Sequence, residues 1–300
     1  MSSLDGERGL AMRNAALASV SVSLFLVAIK TAAYFASNSV AMLASLADSA
    51  LDLFTSGLNM WAIHSALSPA DAEHRFGHGK AEPLAGLAQG AFIAGSAVFV
   101  VAEGVQRLIA PQPIDQPLSA LIVMFVAIAS AIGLILYERH VIARTGSVAV
   151  TADATHYFGD LVSNVGVVVA IVLSSRLGWT LADPVIALVV AAVMVASAWH
   201  VFRASFDQLM DRELPDAERD RIVNIVRANP DVRALHDLKT RQAGGSLFIQ
   251  VHLEMDPGMS LARAHVISDK VEHAIMAAFP NAEVIIHQDP AGVEEVVSEA

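Results

Sequence analysis

Long apolar segments separated by short polar ones occupy the first 210 residues of the chain. Three of them are uncharged over the length needed to cross a bilayer, and three more are as long but carry a few ionisable residues. No small-residue cleavage site follows the first segment, so we interpret it as a retained span rather than a signal peptide. The pattern predicts a multi-pass membrane protein with six transmembrane α-helices, at residues 15–37, 39–66, 81–109, 117–142, 148–175 and 183–206.

Beyond residue 207 the pattern becomes that of a small soluble domain. Helical periodicity alternates there with short runs of period two, and Ser260 is placed to cap the second helix. The predicted order is αββαβ, a two-layer sandwich of the ferredoxin-like, metallochaperone-like kind. Its elements fall at residues 215–229, 235–242, 246–254, 259–279 and 283–287.

The distribution of lysine and arginine predicts the orientation of the chain. If the N-terminus lies inside, the outer loops hold only Arg107 and Arg176, and the positive-inside rule then places both termini in the cytoplasm. The inner flanks hold Arg8, Arg13, Arg75, Lys80, Arg139, Arg144 and Arg203. The predicted organisation is a cytoplasmic N-terminal segment at 1–14, a six-helix transmembrane domain at 15–210, a cytoplasmic domain at 211–290 and a flexible tail at 291–300.

Composition restricts the chemistry that the chain can carry. The sequence contains no cysteine, which excludes disulfides and thiolate ligands, so any metal must be held by His, Asp or Glu. The net charge of −11 argues against nucleic-acid binding. A His-Glu-x-x-His pair, as an intramembrane metalloprotease requires, is absent from the sequence, and we predict that the chain is not an enzyme.

Two pairs of ionisable residues interrupt the apolar segments, and each pair is spaced four residues apart. Asp48 and Asp52 share one face of the second predicted helix, and His156 and Asp160 share one face of the fifth. Asp48 and His156 each lie about eight residues, or roughly 12 Å, inside their helices, so both pairs fall near the middle of the bilayer. Polar helix packing and a metal-free proton relay are the alternatives to a four-ligand divalent-metal site.

Two further groups of potential ligands lie outside the spans. Asp71, His74 and His78 follow one another in the polar loop after the second span, where a solvated charged loop is the alternative interpretation. The soluble domain concentrates several histidines near a His-x-Asp pair, which suggests a shared site in which an aspartate could bridge two ions. Its candidate ligands are His236, His252, His265, His287 and Asp289.

Taken together, these features resemble the cation diffusion facilitators. The resemblance extends from about residue 12 to residue 290, and it rests on six spans, the paired ligands of spans two and five, the αββαβ domain and four local strings. These strings are Ala47-Asp48-Ser-x-x-Asp52, Phe76-Gly-His-Gly-Lys80, Ala152-Asp-x-x-His156-Tyr and Val284-Ile-Ile-His287-Gln-Asp-Pro290.

The resemblance implies a homodimer of the bacterial inner membrane that exports Zn²⁺, and also Cd²⁺ or Fe²⁺, in exchange for protons by alternating access. It implies that the four intramembrane residues form the transport site, that the loop ligands form a second site, and that the soluble-domain ligands form a binuclear site at the dimer interface, where zinc is structural. A Mn²⁺-preferring exporter of the same family, and a metal-gated channel or sensor, remain the alternatives.

Overall fold

The computed structural model describes residues 3–37, 40–109, 118–177 and 181–292. The chain divides into two compact units, residues 1–206 and residues 207–300, here named the helical unit and the sheet unit. Residues 293–300, which make up most of the predicted flexible tail, lie outside the described residues.

Six long α-helices form the helical unit, and the sixth continues for three residues into the sheet unit. The first begins at Ser3, so residues 3–14 of the segment predicted to be polar and separate are helical and continuous with the first span. Met12 explains this difference, because it is buried against Ile63 and Val150 and so gives the polar stretch a packed face. The helices are α1 (Ser3–Ser37), α2 (Val40–Ala66), α3 (Ala81–Ile109), α4 (Leu118–Thr145), α5 (Val148–Leu177) and α6 (Ala182–Leu209).

Among the described residues, four helices are long and apolar enough to cross a membrane by length and composition: α1, α3, α4 and α6. The helices α2 and α5 are of similar length, 27 and 30 residues, and carry the paired Asp and His residues. Large apolar side chains such as Phe99, Phe125 and Trp199 point away from the unit and are more than half exposed, as expected where lipid is the solvent.

Small residues bring the helices close together. Ala97 and Ala198 lie in a buried cluster between α3 and α6, and a Cβ atom added to Gly166 would meet Val190 Cγ2 at 2.9 Å. Since there is little hydrophobic drive between helices in lipid, such close backbone contact is a main source of their association.

In the sheet unit, two helices cover one face of a three-stranded sheet. The order of elements is αββαβ, as predicted, and Ser260 caps the second helix by accepting a hydrogen bond from the Arg263 N–H. The strand order is β1-β2-β3, with β1 and β2 antiparallel and β2 and β3 parallel. The elements are α7 (Asp216–Arg227), β1 (Ala234–Ala243), β2 (Ser246–Met255), α8 (Leu261–Ala278) and β3 (Ala282–Pro290).

The alternation along β2 separates the core from the open face of the sheet. Ile249, Val251 and Leu253 are fully buried in the core beneath α7 and α8. The residues between them, including His252 and Glu254, are only partly buried and face the opposite side, because successive strand residues alternate between faces. The fold therefore gives the predicted histidine site one open sheet face.

Candidate metal sites

The first site lies between α2 and α5 in the helical unit. His156 Nε2 lies 3.2 Å from Asp52 Oδ1 and 3.7 Å from Asp160 Oδ2, and Asp52 and His156 are buried. Asp160 lies one helical turn after His156, so both side chains project toward α2. One ligand atom from each of the three residues lies within 4.8 Å of the others.

The spacing of these three atoms fits a small divalent cation. Ligand atoms about 2.1 Å from a tetrahedral zinc ion lie about 3.4 Å from one another. The distances of 3.2 and 3.7 Å from His156 Nε2 to the two carboxylates bracket this value. The two distances from His156 therefore suit an ion of the size of zinc.

Asp48, the fourth predicted ligand, does not join this close group. Its side chain is exposed, although it interacts electrostatically with Asp52, His156 and Asp160. Lys30 on α1 also reaches this region, because its Nζ donates hydrogen bonds to Ser49 Oγ at 2.6 Å and to the Ser45 carbonyl at 3.1 Å. Asp48 must move closer to Asp52 to complete a four-ligand site.

A cluster of hydroxyl groups fixes the helices next to the site. The Tyr157 hydroxyl lies 2.5 Å from Ser23 Oγ on α1 and 3.1 Å from Ser56 Oγ on α2, and Ser19 donates to Ser56 at 2.9 Å. All four side chains are buried. Since Tyr157 follows His156 directly, these hydrogen bonds tie the turn of α5 that contains His156 to α1 and α2.

The second site lies in the loop between α2 and α3. His74 Nδ1 lies 3.3 Å from Asp71 Oδ1, and His78 Nε2 lies 3.3 Å from Asp71 Oδ2. Glu73 contributes its backbone N–H to Asp71, and its carboxylate is not part of the three-ligand group. Unlike the first site, this one is open, because Asp71 and His74 are exposed.

Backbone hydrogen bonds keep the Asp71 carboxylate ionised. The backbone N–H of His74 is the main cause that lowers the pKa of Asp71 below its ordinary value of 3.8, and the N–H of Glu73 adds to it. These two bonds, of 2.6 and 2.9 Å, also orient the carboxylate toward the histidines. The loop thus presents an anionic ligand at any physiological pH.

The third site lies on the open face of the sheet and follows directly from strand register. His236 pairs with His252, and His252 pairs with His287, so three strands place one histidine each in a single row. The next row toward the strand ends contains Glu254 paired with Asp289. Because residues two apart on a strand share a face, both rows project from the same side of the sheet.

Asp289 stands at the centre of this group. Its Oδ2 atom lies 2.9 Å from His252 Nδ1 and 3.5 Å from His236 Nε2, whereas its Oδ1 atom lies 3.1 Å from His287 Nε2. The two oxygens thus face different histidines, which is the arrangement of a carboxylate that bridges two ions. His236, His252 and Asp289 form the close three-ligand group.

Two residues depart from the predicted set. His265 lies on α8, where its side chain is largely exposed and pairs with Asp269 at 3.5 Å, and it does not join the close group of its own chain. Glu254, which the sequence interpretation missed, has Oε1 3.9 Å from His236 Nε2. Its in-register position beside Asp289 becomes visible only once the pairing of β2 and β3 is known.

Comparison with known families accounts for most of the chain. Residues 16–210 match the cation efflux transmembrane domain, and residues 214–291 match the cytoplasmic domain of cation efflux proteins. The chain is 43% identical over 285 residues to the cation-efflux pump FieF of Klebsiella pneumoniae, which covers 95% of each chain. It is 46% identical over 280 residues to FieF of Shewanella oneidensis, which covers 93% of this chain and 94% of that protein.

Among solved structures, the metal-bound C-terminal domain of the CzcD transporter from Thermotoga maritima is 28% identical and covers 27% of this chain and all of that domain, with a TM-score of 0.26. The two full-length relatives are efflux pumps, which confirms the prediction that the chain is a transporter and not an enzyme. The matches also confirm the resemblance to the cation diffusion facilitators, and the chain belongs to the cation efflux family.

Proposed function

We propose that this chain exports Zn²⁺ from the cytoplasm in exchange for protons, by alternating access. The observation that carries the proposal is the group of Asp52, His156 and Asp160, whose ligand atoms lie within 4.8 Å of one another between two long helices. A mixed set of one imidazole and two or three carboxylates suits zinc better than Ca²⁺, which needs more oxygen ligands. Cd²⁺ and Fe²⁺ are the other candidate cargoes.

In this proposal all six long helices cross the bacterial inner membrane, with both termini in the cytoplasm. The four apolar helices support it by length and composition. The helices α2 and α5 carry the proposed transport ligands, whose cost in lipid is offset when they face the interior of the bundle and bind an ion.

Proton coupling follows from the chemistry of the ligands. Metal binding requires neutral imidazole and ionised carboxylates, so metal and protons compete for the same atoms. A pH difference across the membrane therefore changes how tightly the ligand atoms hold the metal on each side. Inward-facing, the site loads metal, and protons from a more acidic exterior displace the metal once it faces outward.

The sheet site is proposed to bind structural zinc and to stabilise a homodimer. One ion would be held by His236, His252 and Asp289, and a second by His287 and the other oxygen of Asp289. Since His265 does not reach this group in its own chain, we assign it to the second ion of a partner subunit. We assign Asp71, His74 and His78 to an exposed zinc site in the loop.

Purified protein in proteoliposomes that contain a zinc-sensitive dye tests the transport mechanism. We expect zinc uptake that is driven by an imposed pH gradient and that moves protons in the opposite direction. Uptake that ignores the pH gradient but follows membrane potential and the zinc gradient would contradict antiport and support the metal-gated channel. Uptake of Mn²⁺ in preference to Zn²⁺ would support the Mn²⁺-preferring exporter instead.

A further inference from the structure

A second pair of carboxyl groups is buried in the helical unit, away from the metal ligands. Glu138 on α4 and Asp153 on α5 are both fully buried, and their carboxyl groups lie within hydrogen-bonding reach of one another. Glu138 lies seven residues before the end of α4, and Asp153 lies five residues after the start of α5. The two residues therefore face each other close to the connection between α4 and α5.

The hydrogen bonds available to this pair do not satisfy two carboxylates. Gln89 on α3 donates from Nε2 to Asp153 Oδ1 at 3.1 Å. Both oxygens of Glu138 and Oδ2 of Asp153 are buried without a donor. In the part of the chain that the structure describes, no lysine or arginine forms an ion pair with either group. Two adjacent carboxylates that share a single hydrogen-bond donor are among the costliest arrangements in an apolar interior.

A single proton resolves this cost. When one carboxyl of a close pair is protonated, it becomes a hydrogen-bond donor to the other, so one proton satisfies two of the orphaned oxygens. We propose that Glu138 and Asp153 form a proton-binding site, separate from the metal ligands, in which the two side chains share one proton between α4 and α5.

Glu82 is a buried carboxyl group in the same unit that does have hydrogen-bond donors. It is almost as buried as Glu138, at 2% exposure. Its Oε2 atom accepts hydrogen bonds from the hydroxyl of Ser147, which precedes α5, and from the N–H of Ala149 in the first turn of α5. Such donors and the positive end of a helix stabilise a negative charge. Glu138 has neither, which makes Glu82 its matched control.

The ionisable groups that face the pair belong to α5. His156 and Tyr157 both interact electrostatically with Asp153, and α3 faces it with the neutral Gln89. On the sides of α1 and α2, the groups bound to Tyr157 are the uncharged hydroxyls of Ser19, Ser23 and Ser56. Since Asp153 lies one turn before His156, loss of the shared proton places an extra negative charge beside the metal-ligating imidazole.

Infrared spectroscopy of the full chain in liposomes tests the proposal without any need for transport. At neutral pH the exposed carboxyls are ionised, so the carbonyl stretch of protonated carboxyls reports buried groups. We expect E138Q to lose the absorbance of one protonated carboxyl per chain, while E82Q keeps it. The spectra are recorded with and without saturating Zn²⁺, because bound metal deprotonates its own ligands.

Several outcomes would overturn the proposal. E138Q could have the wild-type spectrum, or E82Q could lose the band instead. A band that disappears from the D52A variant on addition of Zn²⁺ would mean that the pair binds metal rather than a proton. If E138Q does not fold, D153N replaces it, since the Glu138 acid would then donate to an amide and its band must shift. An unshifted band in D153N rejects the shared proton.

Discussion

In the helical unit the candidate ligands come from two helices and are largely buried, whereas in the sheet unit they come from three strands and lie on an open face. The side chains of Asp52 and His156 are 12% and 9% exposed, whereas the side chain of His287 is 62% exposed. Both groups nevertheless combine imidazole with carboxylate at distances of about 3 to 4 Å. Ligand type alone therefore does not separate a transport site from a structural one.

What separates the two sites is the mobility that each backbone allows. Helices that pack through small residues can shift relative to one another, and the site between α2 and α5 can be presented to one side or the other. Strand register in the sheet is fixed by backbone hydrogen bonds, so His236, His252 and His287 cannot separate without unfolding. We expect the first site to exchange metal and the second to retain it.

The largest expected effect is loss of transport when a ligand of the helical unit is removed. D52A and H156A each remove one of three close ligand atoms. Loss of an outer-shell partner alone costs about 10–100-fold in affinity, so loss of a direct ligand should lower zinc affinity by more than about 100-fold. Zinc uptake into proteoliposomes measures the effect.

H64A is the matched control for these variants, because His64 also lies on α2 but is exposed and outside the metal-ligand groups. It should transport zinc at the wild-type rate. Wild-type uptake by D52A or H156A, with normal insertion and dimerisation, would contradict the transport role of this cluster. Its polar residues would then serve only in helix packing.

In the sheet unit, D289A should remove most of the stabilisation that zinc gives to the folded domain. Zinc binding to the site in the helical unit should not change. Zinc at 100 times its dissociation constant stabilises a folded domain by about 2.7 kcal/mol. For a domain of this size each kcal/mol raises the melting temperature by about 4–8 °C. D289A removes the carboxylate that contacts all three histidines of the row, so most of the increase should disappear.

The sheet unit has its own hydrophobic core, so it can be expressed alone and melted with and without Zn²⁺. H273A serves as the control. His273 is a histidine of the same unit, but it lies on α8 and contacts the Asp269 carbonyl outside the site. A wild-type domain whose melting temperature ignores zinc would reject the structural role, and looser dimers of full-length D289A would support it.

The sequence predicted the sheet unit more completely than the helical one. Strand alternation located β1 and β2 to within a residue or two, because period two is a local signal. The structure brings together ligand atoms of His236, His252 and Asp289, three of the five residues that the sequence grouped. Glu254 was missed because its position beside Asp289 depends on register between strands that are distant in sequence.

In the helical unit, the spacing of Asp52, His156 and Asp160 predicted a cluster, but spacing could not predict helix rotation. The outward position of Asp48 and the inward position of Lys30 both depend on that rotation. The Glu138–Asp153 pair was missed for a related reason. Glu138 lies beside the charged residues Arg139 and Arg144 near the end of α4, and only the packing of α4 on α5 reveals that it is buried.

A selectivity change would sharpen the contrast between the two sites. H156D replaces the imidazole of the helical site with a carboxylate and leaves the sheet site unchanged. An all-oxygen set favours harder ions, so the preference for Zn²⁺ over Mn²⁺ should fall by about tenfold, or about 1.4 kcal/mol. Competition assays in proteoliposomes measure the ratio, and an unchanged ratio would mean that His156 does not select the ion. D52E, which keeps one imidazole in the site, is the control.

The smallest effect is expected in the loop between α2 and α3, which resembles neither site because it is exposed and local in sequence. The pKa of Asp71 in the folded loop lies below 3.8, so the hydrogen bonds of Asp71 should persist above that pH and be lost only as pH falls through the lowered value.

D71N keeps the side-chain shape but removes the charge that faces His74 and His78. We expect weaker zinc binding in the loop, with transport reduced only a few-fold, because exposed charges interact weakly. E73Q should change neither quantity, since the Glu73 carboxylate is outside the group. Complete loss of transport in D71N would instead make the loop an obligatory step on the zinc pathway.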